Sequence, residues 1–146
     1  MPLLGSTCTR CGTRRTSDGR GTYARYFDAV NVHPYSEPDA PLADGPGTNM
    51  FIQLPQFYAL MQAYGDGGKK IWVTEYGYPT ANDPEAVSEQ QQADYLRTAI
   101  ESIMGQSWAG PFLIYNWQDD SSQSYGLLRS HGSYKPAFAI FEESPH

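Results

Sequence analysis

Three side chains in this sequence stand where chemistry is expected. Glu75 closes the run Lys70-Ile-Trp-Val-Thr-Glu75, His33 closes Tyr26-Phe-Asp-Ala-Val-Asn-Val-His33, and Trp117 closes Phe112-Leu-Ile-Tyr-Asn-Trp117. Carboxylate and imidazole are the groups of proton transfer and nucleophilic attack, and an indole offers a flat apolar face with one N–H donor. All three runs read as strands, and the second is so nearly continuously apolar that it looks like a parallel strand covered on both faces. Successive strand residues point to opposite faces. Asn31 and His33 therefore share one face, Ile71, Val73 and Glu75 another, and Leu113, Tyr115 and Trp117 a third. If those faces all point inward, a carboxylate, an imidazole and an indole converge at one rim. A carboxylate ending an apolar strand is costly unless paired or wet. Glu75 is thus either a working carboxylate or a rim glutamate bound to a lysine or to water.

The elements that must hold these groups follow from periodicity and punctuation. Pro34 removes a ladder donor and stops the first strand. After a loop over 36–49, a helix is predicted from about Asn49, with Phe51, Leu54, Phe57, Tyr58, Met61 and Tyr64 at three- and four-residue spacing. Gly65-Asp-Gly-Gly ends it. A loop over 76–87 leads to Ser88, which with Gln91 can form a capping box. Tyr95, Leu96, Ala99, Ile100, Ile103 and Met104 make the stripe of that second helix, and Gly105 closes it. A loop over 118–134 precedes a last helix opening at Pro136 and running through Phe141. The order is β-loop-α three times, which predicts an α/β fold with a parallel sheet and right-handed crossovers. The loops leaving strand C-termini are long and the returns are short. Long loops on that side build the functional face of barrels.

The same segments resemble a known family. Trp72-Val-Thr-Glu-Tyr-Gly-Tyr-Pro79 is similar to the nucleophile strand of clan-A glycoside hydrolases, the cellulase-like (β/α)8 barrels. Phe27-Asp-Ala-Val-Asn-Val-His-Pro-Tyr35 resembles the preceding strand, whose His and Tyr line the subsite of the scissile sugar. Tyr115-Asn-Trp-Gln-Asp-Asp120, Tyr125-Gly-Leu-Leu128 and Lys135-Pro-Ala-Phe138 resemble the last strand and helix. The resemblance implies a partial TIM barrel over 23–146, made of the last three β/α units. It implies a retaining glycosidase acting on β-linked polysaccharide or oligosaccharide, with no cofactor and no metal. Glu75 would be the nucleophile, held charged and aimed by Tyr35, with His33 on the sugar or the nucleophile. Trp117 would face the sugar, Asn31 would join the substrate-binding set, and Tyr76, Tyr78 and Tyr125 would add stacking surfaces in rim loops. Asp119 and Asp120 are expected to cap loops.

The departures from the family are equally definite. A retaining enzyme needs a second carboxyl group about 5–5.5 Å from the nucleophile. In the clan that glutamate follows an asparagine, and no Asn-Glu pair occurs here. Glu37 is the in-chain candidate for the role. The chain is expected to be a truncated form, to self-associate, or to work with a missing N-terminal barrel half. The alternative function is a non-catalytic, carbohydrate-binding half-barrel.

Composition narrows the rest. The chain has 146 residues, short of the roughly 250 of a complete eight-fold barrel. A net charge of −6 argues against nucleic acid and anionic membrane. No apolar run is long enough to span a bilayer, and the N-terminus lacks the charged region of a signal peptide. The family is often secreted, so localisation is left unassigned. Residues 1–22 are rich in Gly, Thr, Ser and Arg without periodicity, and are read as a poorly ordered or non-native lead-in. They hold Cys8-Thr-Arg-Cys11, read as two free thiols. A zinc site would need two more ligands, and His33, His131 and His146 show no paired spacing.

Overall fold

A computed structural model describes residues 26–44 and 49–143. Residues 1–22 with Cys8 and Cys11, the Phe141 side chain and His146 lie outside that description. Three strands, β1 (Ala29–Val32), β2 (Lys70–Tyr76) and β3 (Ala109–Ile114), form one parallel sheet in the order β1-β2-β3. Helix α1 (Leu54–Ala63) follows β1 through a 3-10 turn at Phe51–Gln53; α2 (Glu89–Ile103) follows β2, and α3 (Ala137–Glu143) follows β3. The expected three β/α units are therefore present. Long connections leave the strand C-termini at 33–50, 77–88 and 115–136, while 64–69 and 104–108 make the short returns.

Local chemistry explains the helix ends. Asn49 is buried, and its Oδ1 accepts from the N–H groups of Phe51 (3.0 Å) and Ile52 (3.4 Å), opening the first helical turn. Its amide donates back to the carbonyls of Ala40, Pro41 and Ala43, each at 3.2 Å, which draws the preceding loop onto the helix. Ser88 and Gln91 form the predicted capping box, with Gln91 N donating to Ser88 Oγ (3.1 Å) and Ser88 N to Gln91 Oε1 (3.0 Å). Gly65 and Gly105, just past α1 and α2, adopt φ of 86° and 81°, where a side chain would be strained.

The core lies between the sheet and its helices. Ile71, Val73 and Tyr76 of β2 meet Leu54 and Met61 of the first helix and Leu96, Ala99 and Ile103 of the second. Burying each large apolar side chain contributes about 1.5–3 kcal/mol. The opposite sheet face is different. Trp72 and Leu113 are half exposed, and Asn31 is exposed beside them in register with Trp72. The apolar run of β2, read as covered on both faces, is thus covered on one, and the described residues leave the other face open.

Two further expectations are corrected. The third strand ends at Ile114, three residues before Trp117, because the chain bends there. Asn116 Oδ1 accepts from Trp117 N (2.6 Å), and Trp117 O accepts from the N–H groups of Leu127 and Leu128 at 3.1 Å. Leu113, Tyr115 and Trp117 do not share one strand face. In β2 the alternation breaks: Val73 and Tyr76 pair with Phe112 and Ile114, so β2 carries one more residue than β3 over that stretch. This bulge returns Tyr76 to the buried side of Ile71 and Val73. It turns Glu75 away from them, to stand with Thr74.

Close backbone approach beside the bulge requires Gly77. A Cβ there would fall 1.9 Å from Tyr115 O. Gly77→Ala is expected to cost about 3 kcal/mol in urea denaturation. Gly68→Ala, where an added Cβ meets nothing within 4 Å, is the control and should fall within about 0.5 kcal/mol of the parent.

Candidate active site

Glu75 lies at the C-terminal end of β2, and two residues of the 33–36 segment reach it. Tyr35 donates its hydroxyl to Glu75 Oε2 (3.2 Å), and His33 Nδ1 lies 3.3 Å from the same oxygen. The side chains of His33 and Glu75 are 43% and 39% exposed, so the carboxylate keeps solvent on one side. Among the described residues, Glu75 Oε1 accepts no hydrogen bond. On its other edge, His33 Nε2 lies 2.9 Å from Thr74 Oγ1, and Asn31 Nδ2 donates to that same oxygen (3.1 Å). Asn31, His33, Thr74 and Glu75 therefore form one continuous contact.

Behind this group is a buried cluster that fixes the loop. Ser36 Oγ lies 2.9 Å from the Tyr76 hydroxyl and 2.5 Å from that of Tyr78, and the two phenols are 2.8 Å apart. Tyr78 gives its one hydroxyl proton to Asp39 O (3.1 Å), so within this cluster its oxygen accepts. All three residues are buried, so this hydroxyl cluster, with the Asp39 carbonyl as its outlet, satisfies polar groups that would otherwise be expensive. Burial pushes the Tyr78 phenol up to about 12 and the Tyr76 phenol still higher. Because Ser36 is pinned beneath, Tyr35 is presented to Glu75 from above and stacks over Tyr76 at 6.4 Å. Burial, and next the charge of Glu75, raise the Tyr35 phenol far above its ordinary value. It remains a donor throughout the physiological range.

Tyr76 was expected to meet substrate in a rim loop. It is instead the last residue of β2, fully buried, with Phe51 at 5.0 Å and Phe112 at 5.5 Å between ring centres. Tyr78 is buried likewise. The bulge is the physical reason, since it turns Tyr76 toward the helices. Asn31 is spent on Thr74 rather than facing outward alone. Trp117 stands at the same end of the sheet, half exposed, with its described ring contact edge-on to Phe138 at 5.9 Å. Tyr125 does reach the site, making edge contacts with Tyr35 (6.1 Å) and Tyr115 (5.5 Å).

Asp119 and Asp120 cap loops. Asp120 Oδ1 accepts from Ser122 N and Oγ (both 2.7 Å) and from Gln123 N (2.9 Å), and the Ser122 hydroxyl leads in holding its carboxyl below the ordinary range. Asp119 accepts from Gly126 N and from Lys135, both at 2.8 Å. Lys135 is buried and uses its remaining donors on Thr80 Oγ1 (2.8 Å) and Ser124 O (3.0 Å), tying the two rim loops together. Gln92 does the same from below, donating to the carbonyls of Tyr78, Tyr125 and Gly126. Lys135 is legible in the sequence only as the first residue of the Lys135–Phe138 motif. For Gln92 the signal was available, because it sits one turn before Leu96 on the buried stripe of α2.

Glu37 does not bond to Glu75. Its Oε1 accepts from the Tyr125 hydroxyl (3.0 Å), while Oε2 is buried without a described partner. Burial raises the Glu37 carboxyl above its ordinary range, with Glu85 and Asp83 adding smaller contributions in the same direction.

Comparisons with known proteins bear on this arrangement. Residues 11–141 match the family model described as glycosyl hydrolase catalytic core. That match begins within the segment 1–22. No curated protein matches significantly. Among solved structures, a GH2 β-galacturonidase of Eisenbergiella tayi bound to galacturonate aligns with TM-score 0.61 and 18% identity, over 85% of this chain and 24% of that one. A family 39 glycoside hydrolase of Bacteroides cellulosilyticus aligns with TM-score 0.58 and 23% identity, over 79% and 26%. A β-glucuronidase of Ruminococcus gnavus aligns with TM-score 0.58 and 16% identity, over 80% and 22%. These likenesses establish the fold as a partial barrel, and the chain spans about a quarter of those chains.

The Glu37 environment yields a stability prediction. Its folded-state pKa is raised, so its stabilisation is fully present below the ordinary carboxylate pKa of about 4.3 and is lost as pH rises through the folded value. Glu37→Gln mimics the protonated form and keeps an acceptor for Tyr125. Urea denaturation should show it equal to the parent near pH 4 and more stable at pH 7, with the gap widening between.

Proposed function

Because the chain belongs to the glycosyl hydrolase catalytic core family, we propose that it carries the nucleophile part of a retaining β-glycosidase site, with Glu75 attacking the anomeric carbon. The observation that carries the proposal is the asymmetry of the Glu75 carboxylate. Tyr35 and His33 both meet Oε2, which leaves Oε1 without a protein donor among the described residues. A nucleophilic carboxylate needs that division: one oxygen held and oriented, the other free to form the glycosyl–enzyme bond. Tyr35, its phenol raised by burial and the Glu75 charge, stays protonated and so remains a donor that holds and aims Oε2. Attack by Oε1 breaks the bond from anomeric carbon to leaving oxygen. Water then cleaves the ester, and the sugar departs with its original configuration.

Substrate is proposed to be β-linked polysaccharide or oligosaccharide, its sugar lying over the open end of the sheet between His33 and Trp117. A retaining cycle also needs an acid to protonate the leaving oxygen. Glu37 is engaged with Tyr125 rather than with Glu75, so a carboxyl outside the described residues is proposed for that step. The open sheet face with half-exposed Trp72 and Leu113 suits further β/α units packing there, from a missing N-terminal barrel half or from another copy of the chain. An apolar groove of about 310 Å³, lined by Val32, Pro34, Met50, Leu54 and Phe57 among others, lies between the end of β1 and the start of the first helix.

Substrates with excellent leaving groups need little acid assistance, so 2,4-dinitrophenyl β-glycosides test the nucleophile by itself. The chain is expected to release dinitrophenolate from at least one sugar of a panel. The first-formed sugar should be the β-anomer by proton NMR, and Glu75→Gln should lower kcat/KM by roughly a thousandfold or more. A folded chain that releases nothing from any sugar favours the non-catalytic, carbohydrate-binding alternative. An α-anomer as first product would contradict the retaining mechanism.

A further inference from the structure

We infer that Thr74 is a positioning residue, a hydroxyl that with Asn31 sets which nitrogen of His33 carries the proton facing Glu75. This rests on the proposal that Glu75 is the nucleophile, and it concerns a side chain that does not itself touch that carboxylate. Three contacts carry it. Asn31 Nδ2 donates to Thr74 Oγ1 (3.1 Å), Thr74 Oγ1 lies 2.9 Å from His33 Nε2, and His33 Nδ1 lies 3.3 Å from Glu75 Oε2.

Each group in this line has a limited inventory of donors. The Asn31 amide nitrogen can only donate, so it occupies a lone pair of Thr74 Oγ1. The single hydroxyl proton of Thr74 is then free for an acceptor, and His33 Nε2 is at hydrogen-bond distance. A neutral imidazole has one N–H and one bare nitrogen. If Nε2 is bare and receives the Thr74 proton, Nδ1 carries the hydrogen and points it at the Glu75 carboxylate. The reverse tautomer would set a bare Nδ1 against the anionic oxygen, lone pair to lone pair. The order Asn31 to Thr74 to His33 to Glu75 is the one in which every neutral group gives a proton to the next. It ends on the oxygen that Tyr35 also holds.

The β2 bulge makes this relay possible. With strict alternation, Thr74 and Glu75 would point to opposite faces, and one imidazole could not reach both. With the extra residue between Val73 and Tyr76, both side chains meet the same ring. The backbone irregularity that aims the carboxylate also supplies the hydroxyl that orients its neighbour.

The test combines a spectroscopic and a kinetic readout on the whole chain. Nitrogen-15 NMR of the His33 ring, at a pH where it is neutral, should show a bare Nε2 and a protonated Nδ1. Thr74→Val removes the hydroxyl while keeping the shape. It should lower kcat on a dinitrophenyl glycoside about tenfold, the order expected for one orienting hydrogen bond, with KM little changed. Thr74→Ser should restore most of the rate. Asn31→Asp reverses the first donor, since a carboxylate accepts the Thr74 proton, and should move the neutral ring toward Nε2–H. A protonated Nε2 in the unaltered chain would overturn the inference, as would full activity in Thr74→Val. The outcomes separate it from the proposed function: an unaltered chain with the Nδ1–H ring but no turnover refutes the nucleophile assignment alone. The wrong tautomer with normal turnover refutes the relay alone.

Discussion

The site depends on one extra residue in the middle strand. Between Val73 and Tyr76, β2 is longer than its partner by one position, and three consequences follow. Tyr76 turns into the core, where its hydroxyl joins the cluster with Ser36 and Tyr78. Glu75 turns out to the open side, where a charge can stay hydrated. Thr74 and Glu75 come to share the His33 ring. A bulge costs ladder regularity, and bulges concentrate where a strand must re-aim a side chain. Here the buried hydroxyl cluster anchors the partner loop against the bulged end, so the donor Tyr35 and the acceptor Glu75 are positioned by the same device.

The packing is one-sided. Helices α1 and α2 cover the face carrying Ile71, Val73 and Tyr76, while Trp72, Leu113 and Trp117 remain half exposed. In an eight-stranded barrel the uncovered face becomes the packed interior, and outer strand edges pair with neighbours. The alignments to about a quarter of larger glycosidase chains agree with that geometry. The rim is organised more completely than the sheet interior. Lys135 and Gln92 satisfy loop carbonyls from inside, and Asp119 and Asp120 cap the segments between them. The loops around Glu75 are thus braced by the described residues themselves, without help from the open face.

Much of this was legible in the sequence. Capping at Ser88 and Gln91, glycines past α1 and α2, and the long-loop asymmetry all depend on local chemistry, and all recur in the structure. The meeting of His33, Tyr35 and Glu75 was legible through family resemblance. Two-residue alternation holds for Asn31 with His33 and for Ile71 with Val73, and fails in β2 beyond Val73. Glu75 reads as sharing a face with Ile71 and Val73 because a bulge has no signature in a run such as Trp-Val-Thr-Glu-Tyr. Tyr76 reads as a rim residue because the strand reads as ending at Glu75, one residue short of its end. The end of β3 was missed for a related reason: Tyr115 and Trp117 continue an apolar pattern while Asn116 bends the chain through its own side chain. Thr74 carries no signal of its own in the sequence, since only the folded pairing shows that it meets the His33 ring.

The central claim is that Glu75 is an oriented nucleophile with one oxygen free. Covalent trapping addresses it most directly. Incubating the folded chain with 2-deoxy-2-fluoro glycosides that bear dinitrophenolate, then recording intact mass and mapping peptides, asks which residue bonds to the sugar. A single glycosyl adduct on Glu75, absent from Glu75→Gln, is the predicted result. An adduct on Glu37 or another side chain, or none from a chain shown to be folded, would contradict the account.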